Sequence, residues 1–200
     1  MKPYSFMLNA QEMANRHADF LGFGYNDLQA KGIIWVLSRV RVVFNRIPRW
    51  NEDVSMETWH KGNDRLFGIR DFRMDTLSGE SLAVATSSWL IIGSASRRIQ
   101  RIDQYLGEDS PGVNKVDAIV TPAAKLVSPG QMTFDKKRRV EFSDIDINNH
   151  TNNAKYIEWA FDCIDQQVSF SMEVKEFTVN FNSESRIGEE IDMYMSDNGT

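Results

Sequence analysis

The sequence predicts an α+β fold in which a helix lies against a curved antiparallel sheet, and it predicts that pattern twice. Two observations carry this expectation. A helical stripe near the N-terminus precedes four long strand-like runs, and a second helix followed by strands recurs beyond residue 132. Helices and strands segregated in this way indicate an antiparallel sheet rather than alternating βαβ units.

The first helix is expected over Gln11 to Leu21, where Met13, His17, Phe20 and Leu21 recur at the spacing of one buried stripe. Gly22 and Gly24 end it. The run from Trp35 to Phe44 alternates Arg39 and Arg41 with Val40 and Val42, the period-2 pattern of a strand. The run from Asp53 to His60 alternates in the same way. The longest runs, Leu66 to Met74 and Ser81 to Ile92, flank Ser78-Gly79, which reads as a hairpin turn. From about Arg101 to Met132 regularity lapses into Gly, Pro and Ser, as expected of a connection crossing the surface.

The second half repeats the theme. A basic strand is expected over Lys136 to Phe142, then a polar loop, then a helix over Ala154 to Gln166 with Tyr156, Ala160, Cys163 and Ile164 on one face. Strands are expected over Val174 to Asn182 and from Glu190 to Met195. That second sheet is short of strands, so either the sequence is truncated or the second unit is completed in another way.

Composition narrows the function classes. At 42% hydrophobic and 26% charged residues, the chain resembles an ordinary globular protein that can bury a core. It has no apolar run of the roughly 18 residues that cross a bilayer. The N-terminal stretch has neither the apolar region and cleavage site of a signal peptide nor a long organelle leader, so a cytoplasmic location is expected. One cysteine, Cys163, excludes an internal disulfide. The net charge of −5 conceals an excess of positive charge before residue 141 and of negative charge after it. Neither half has the basic, aromatic-rich pattern of a nucleic-acid binder. The basic clusters, Arg97, Arg98 and Arg101 and then Lys136 to Arg139, suit an acidic protein partner or a solvated face.

The chemistry concentrates before the second helix. Asp144, Asp146, Asn148, Asn149, His150, Asn152 and Asn153 fall within ten residues. In a loop Asp146, Asn148 and His150 can converge, and Asn152 or Asn153 is a good N-cap. The helix that follows offers free N–H groups and its positive end, which suit the oxyanion of acyl transfer at about 3–4 kcal/mol for a good donor. His150 can move a proton near neutral pH. An Asx-rich capping turn with an idle His150 explains the same composition, and both readings stand on these residues alone.

The run from Asp146 to Trp159, with Asn148, His150, Asn152, Asn153, Lys155, Tyr156 and Ile157 in place, resembles the signature of the acyl-acyl-carrier-protein thioesterases of plant plastids and bacteria. Ala14 to Ala18, Gly22 to Tyr25, Trp35 to Arg39, Pro48 to Trp50 and Trp89 to Ile92 resemble the opening of that family. The resemblance covers nearly the whole chain. It implies tandem hotdog domains: an N-terminal one over 1–105 with the acyl-chain pocket, a linker over 106–132, and a catalytic one over 133–200. It implies Asp146, Asn148, His150 and Glu184 as the catalytic set, with no metal or organic cofactor. It implies acylated acyl carrier protein as substrate and partner, no nucleic acid or membrane partner, and leaves a homodimer open. The absent leader fits a bacterial member better than a plastid one.

One position departs from the plant pattern. The Cys that follows the family's Glu is Ser185 here, and Cys163 lies on the apolar stripe of the second helix. A cysteine acyl-enzyme is therefore not expected, and water activated by His150 with Glu184 or Asp146 is. His17 and His60 read as structural, since neither follows an Asp-x-Asn. The large apolar residues Phe20, Phe23, Trp35, Phe44, Met56, Phe67, Met74 and Trp89 line a cavity or fill a core. The rivals are an acyl-CoA thioesterase of the same fold and a non-catalytic acyl-binding protein.

Overall fold

The structure, a computed structural model, describes residues 1–64, 66–107, 111–165, 167–168 and 172–196. They form two compact units. One comprises Met1–Lys125 with Val174–Asn180, and the other Leu126–Glu173 with Phe181–Thr200.

The first unit opens with α1 (Pro3–Phe20), which starts at a proline, where a missing N–H costs nothing and φ is already helical. It is longer than its periodicity suggests, and its buried residues are Phe6, Met7, Ala10, Ala14 and Ala18 rather than the expected stripe. Phe20 is 84% exposed, so it is neither core nor cavity wall. Three of the five buried positions are alanines, which let a helix lie close to a neighbour. Reading the stripe from large side chains alone therefore rotates it by about a quarter turn. A short α2 (Tyr25–Gln29) follows, its Gly24 N–H donating to Asp27 Oδ2 at 3.0 Å.

Four strands follow: β1 (Ile33–Phe44), β2 (Val54–Asp64), β3 (Phe67–Thr76) and β4 (Ser81–Gly93), with a short β5 (Ile99–Gln100) on the edge of β4. All pairings are antiparallel. The turn at Ser78-Gly79 is present, with Gly79 at φ +90° and Thr76 N–H donating to the Glu80 carbonyl at 2.9 Å. Ala18, Phe23, Leu28, Ile33, Ile91 and Ile102 form a core cluster of this unit.

After α3 (Asp103–Leu106) the described residues from 111 onward are irregular but anchored. Trp59 Nε1 donates to the Val116 carbonyl at 2.8 Å, and Asn114 N–H donates to the His60 carbonyl at 2.9 Å. Asp71, fully buried, accepts from Lys61 Nζ at 3.1 Å and from Ala118 N–H at 2.9 Å, and Lys61 also meets Asp117 at 2.7 Å. Hydrogen bonds to Asp117 and Asp71 hold the Lys61 ammonium above its ordinary value against the burial that opposes them.

The strand expected over 174–182 is β7 (Glu176–Asn180), and it joins the first sheet rather than a second one. It pairs antiparallel with β1, Arg39 opposite Asn180 through Val43 opposite Glu176. The resulting order is β2-β3-β4-β1-β7. The half of β1 with its edge away from β4 needs a ladder partner, and a strand that covers such an edge satisfies its backbone groups. Arg41 and Glu176 add an ion pair at 2.9 Å.

The second unit contains β6 (Thr133–Arg139), a 3-10 turn (Phe142–Asp144), α4 (Asn153–Asp162) and β8 (Glu190–Met195). Among the described residues β6 and β8 form a two-stranded antiparallel sheet. The helix is shorter than expected, and it buries Ala154, Ile157 and Trp159 while Ala160 is exposed. Trp159 is the anchor, 1% exposed beneath the Arg138 guanidinium at 4.9 Å. The expected end of the helix, Gln166, lies outside the described residues.

Candidate active site

The polar stretch before α4 is a tight hairpin. An antiparallel bridge between Ile145 and Thr151 closes it, Asp146 N–H donates to the His150 carbonyl at 2.8 Å, and Asn149 turns the tip at φ +61°. Asparagine tolerates that left-handed backbone better than most residues. Asp146 Oδ1 accepts from the Asn148 N–H at 2.8 Å and the His150 N–H at 3.3 Å. The carboxylate therefore holds the hairpin from inside. The loop is tied to the body by Asp144, 2% exposed, whose carbonyl accepts from Asn152 N–H at 2.8 Å. Its Oδ2 accepts from the Glu141 N–H at 2.9 Å, and Lys155 Nζ lies 3.7 Å from Oδ1.

Of the four expected site residues, the structure brings two side chains together, one from the hairpin and one from the segment after β7. His150 Nε2 lies 3.3 Å from Glu184 Oε2, with both side chains half-buried. Asp146 meets backbone N–H groups rather than the imidazole in these bonds. Asn148 stands at the exposed tip, its side-chain amide without a hydrogen bond among the described residues. Asn152 is the N-cap of α4: its Oδ1 accepts from Ala154 N–H at 2.9 Å and its carbonyl from Lys155 N–H at 2.9 Å. Two of the amides that a helix N-terminus offers an oxyanion are thus already used by the cap.

Sequence reasoning missed what joins the Glu184 segment to the hairpin. Ser185 is 4% exposed, and its Oγ lies 2.7 Å from both Thr151 Oγ1 and Tyr156 Oη. Its carbonyl accepts from the Thr151 N–H at 2.9 Å. The Tyr156 ring packs edge-on against Trp159 and Phe181, which fixes the phenol. The neighbours of Ser185 Oγ are two hydroxyls, neither of which is a base. The only available signal was the adjacency of Thr151 to His150 and of Ser185 to Glu184, and adjacency does not predict a bond across 34 residues.

Cys163 caps the C-terminus of α4, its thiol donating to the Trp159 carbonyl at 3.4 Å. Burial first, and Asp135 second, push that thiol up to about 11, so it is protonated at neutral pH and a poor nucleophile. His17 lies on α1, where its Nδ1 pairs with Arg70 Nη1 at 2.9 Å. Among the described residues no helix is long and apolar enough to cross a membrane.

Solved structures of acyl-ACP thioesterases share this fold. One from Bacteroides thetaiotaomicron superposes with a TM-score of 0.79 at 27% identity, over 96% of this chain and 77% of that one. The 12:0-ACP thioesterase from Umbellularia californica gives 0.77 at 26% identity, over 92% and 75%. These neighbours define a mixed α/β protein of the hotdog type with an antiparallel sheet.

The sequence makes the assignment specific. Residues 1–108 match the acyl-ACP thioesterase N-terminal domain and residues 128–200 the C-terminal domain, so the chain belongs to the acyl-ACP thioesterase family. A palmitoyl-acyl carrier protein thioesterase of Gossypium hirsutum is 30% identical over 90% of this chain and 46% of its own length. An oleoyl-acyl carrier protein thioesterase of Arabidopsis thaliana is 29% identical over 91% and 54%. The chain thus spans about half the length of these curated relatives, both of which are chloroplastic.

Proposed function

We propose that the protein hydrolyses acyl-acyl-carrier-protein thioesters to free fatty acid and holo carrier protein, and that Asp146, Asn148, His150 and Glu184 carry the reaction. The observation that carries the reading is the His150–Glu184 contact at 3.3 Å on the edge of a hairpin whose sequence matches the family. With Glu184 accepting from the Nε2 side, Nδ1 of His150 takes the proton of an attacking water. The water oxygen bonds to the thioester carbonyl carbon, the C–S bond then breaks, and the departing thiolate takes the proton back. Glu184 stabilises the imidazolium that forms between these steps. Asp146 shapes the hairpin, since its Oδ1 is already bonded to two backbone amides. The free side-chain amide of Asn148 is the donor to the carbonyl oxygen.

The same reading makes the second unit a hotdog in tandem with the first, and the first the holder of the acyl chain. The presence of α4 beside an antiparallel pair and the two-part family match support it. A cytoplasmic location belongs to this proposal too.

Fatty acid release from a panel of acyl-carrier-protein and acyl-CoA thioesters, with His150→Ala beside the unmodified protein, tests the reading. Turnover on carrier-protein substrates, falling about 10²–10⁴-fold in the variant, is expected. Equal turnover of CoA esters would replace the proposal with a broader thioesterase, and no turnover on any ester with an acyl-binding protein.

A further inference from the structure

The two halves of α1 are held to the sheet by different means. Phe6 and Met7 anchor the first half in the core, where the Phe6 ring meets Phe44 edge-on at 6.0 Å. The second half buries Ala14 and Ala18, whose methyl groups stabilise far less than a phenyl ring does. What it adds is polar: His17 Nδ1 lies 2.9 Å from Arg70 Nη1 on β3. A guanidinium can only donate, so the imidazole accepts through its Nδ1 lone pair and is neutral. A pocket lies between this half of the helix and the sheet, with Ala14, Asn15 and Ala18 on one side and His60, Arg70 and Trp89 on the other.

Protonation destroys that bond. An imidazolium has no lone pair, and it would face Arg70, which is 5% exposed and cationic. The other groups around His17 give the charge no relief. From β2 come the Thr58 hydroxyl, which already accepts from Arg70 at 3.2 Å, and His60, itself buried. Asp71 is committed to Lys61 and Ala118, and Asp27 of α2 to the Gly24 N–H. On α1 Glu12 and Arg16 pair with each other in solvent, and Asp19 is exposed. Among the described residues neither His17 nor Arg70 has a carboxylate within ion-pairing distance. Burial, then Arg70, accordingly hold His17 below its ordinary 6.5.

We propose that the second half of α1 is a pH-sensitive flap over this pocket, latched by the His17–Arg70 bond at neutral pH and released when His17 takes up a proton. The first half stays seated on Phe6 and Met7 and is the hinge side. A histidine depressed in the latched state favours that state in full above about pH 6.5, and the advantage is lost as pH falls below it. The inference stands on the first unit alone and does not depend on hydrolysis.

Amide hydrogen exchange of the full chain at about pH 7.5 and about pH 5.5, corrected for intrinsic rates and referred to β4, tests it. An opening that takes up one proton becomes about tenfold more populated one pH unit below 6.5. Protection over residues 14–21 is therefore expected to fall at least about tenfold, while residues 7–10 change by less than about twofold. His17→Gln, whose side-chain oxygen accepts from Arg70 and does not titrate, is expected to lose about tenfold of that fall. His60→Gln is expected to keep it, which leaves His17 as the source even if the first variant does not fold; the chain's third histidine, His150, belongs to the second unit. Unchanged protection over 14–21 in the unmodified protein would overturn the proposal. So would an undiminished fall in His17→Gln, its loss in His60→Gln, or a fall that covers the whole helix equally.

Discussion

Replacing Ser185 with alanine separates a positioning hydroxyl from a nucleophile. The substitution removes two O–H···O bonds of 2.7 Å at once. Thr151, 5% exposed, is left with a stranded hydroxyl at a cost of about 1–3 kcal/mol. Tyr156 is only half-buried and recovers part of its bond from water, leaving a loss of about 0.5–1 kcal/mol. The total is about 1.5–4 kcal/mol, which for a chain of this size lowers Tm by about 3–16 °C. Turnover should also fall, because Ser185 ties the Glu184 segment to the hairpin that bears His150. A displacement of about 1 Å at a reacting group costs up to about 10²-fold. Thermal melts and fatty acid release are measured together on Ser185→Ala and on Thr151→Val, which forfeits only one of the bonds and should lose about 1 kcal/mol. Full stability with turnover abolished in Ser185→Ala would refute the reasoning and make Ser185 the nucleophile.

Two further predictions concern the first unit. Asp71→Asn keeps the side-chain shape but removes the charge that Lys61 meets and turns an amide toward the Ala118 N–H. Because Lys61 retains Asp117, a loss near the low end of the range for a broken buried pair, about 3 kcal/mol, is expected in urea unfolding. A loss below about 1 kcal/mol would show the network to be dispensable. His60 supplies a pH dependence. Burial, then Arg70, hold its imidazole down at about 4 against an ordinary 6.5. A depressed histidine favours the folded state in full above about pH 6.5, and the benefit drains away as pH falls toward 4, because only the unfolded chain takes up the proton. The contribution is about 3 kcal/mol at most, at 1.36 kcal/mol per pH unit. Stability curves of the unmodified protein and His60→Gln should converge over that interval, and parallel curves would remove His60 as the cause.

Much of the fold was legible in local pattern. The four long strands of the first sheet, β1 to β4, fall within a few residues of their expected bounds, because alternation such as Arg39, Val40, Arg41 and Val42 is written in consecutive residues. The turn at Ser78-Gly79 was legible for the same reason: a left-handed backbone at Gly79 is a local demand. The helices were less so. In α1 the stripe runs through alanines, and hydrophobic size misleads where close approach matters more than volume.

The sequence by itself determined the family, through a motif in which Asp146, Asn148, His150 and Asn152 stand at fixed spacing. That spacing is a local property, since a hairpin and a helix cap need only neighbours along the chain. Tertiary structure alone decided the rest. It put β7 on the edge of β1, brought Glu184 to within 3.3 Å of His150, and made Ser185 the junction of two segments. It also buried Arg70 without a counter-charge among the described residues. The physical reason is common to all four. Pairing of a strand edge, a bond across 34 residues and the dielectric around a cation depend on which distant residues fill the adjacent space. Periodicity and spacing record no such neighbours.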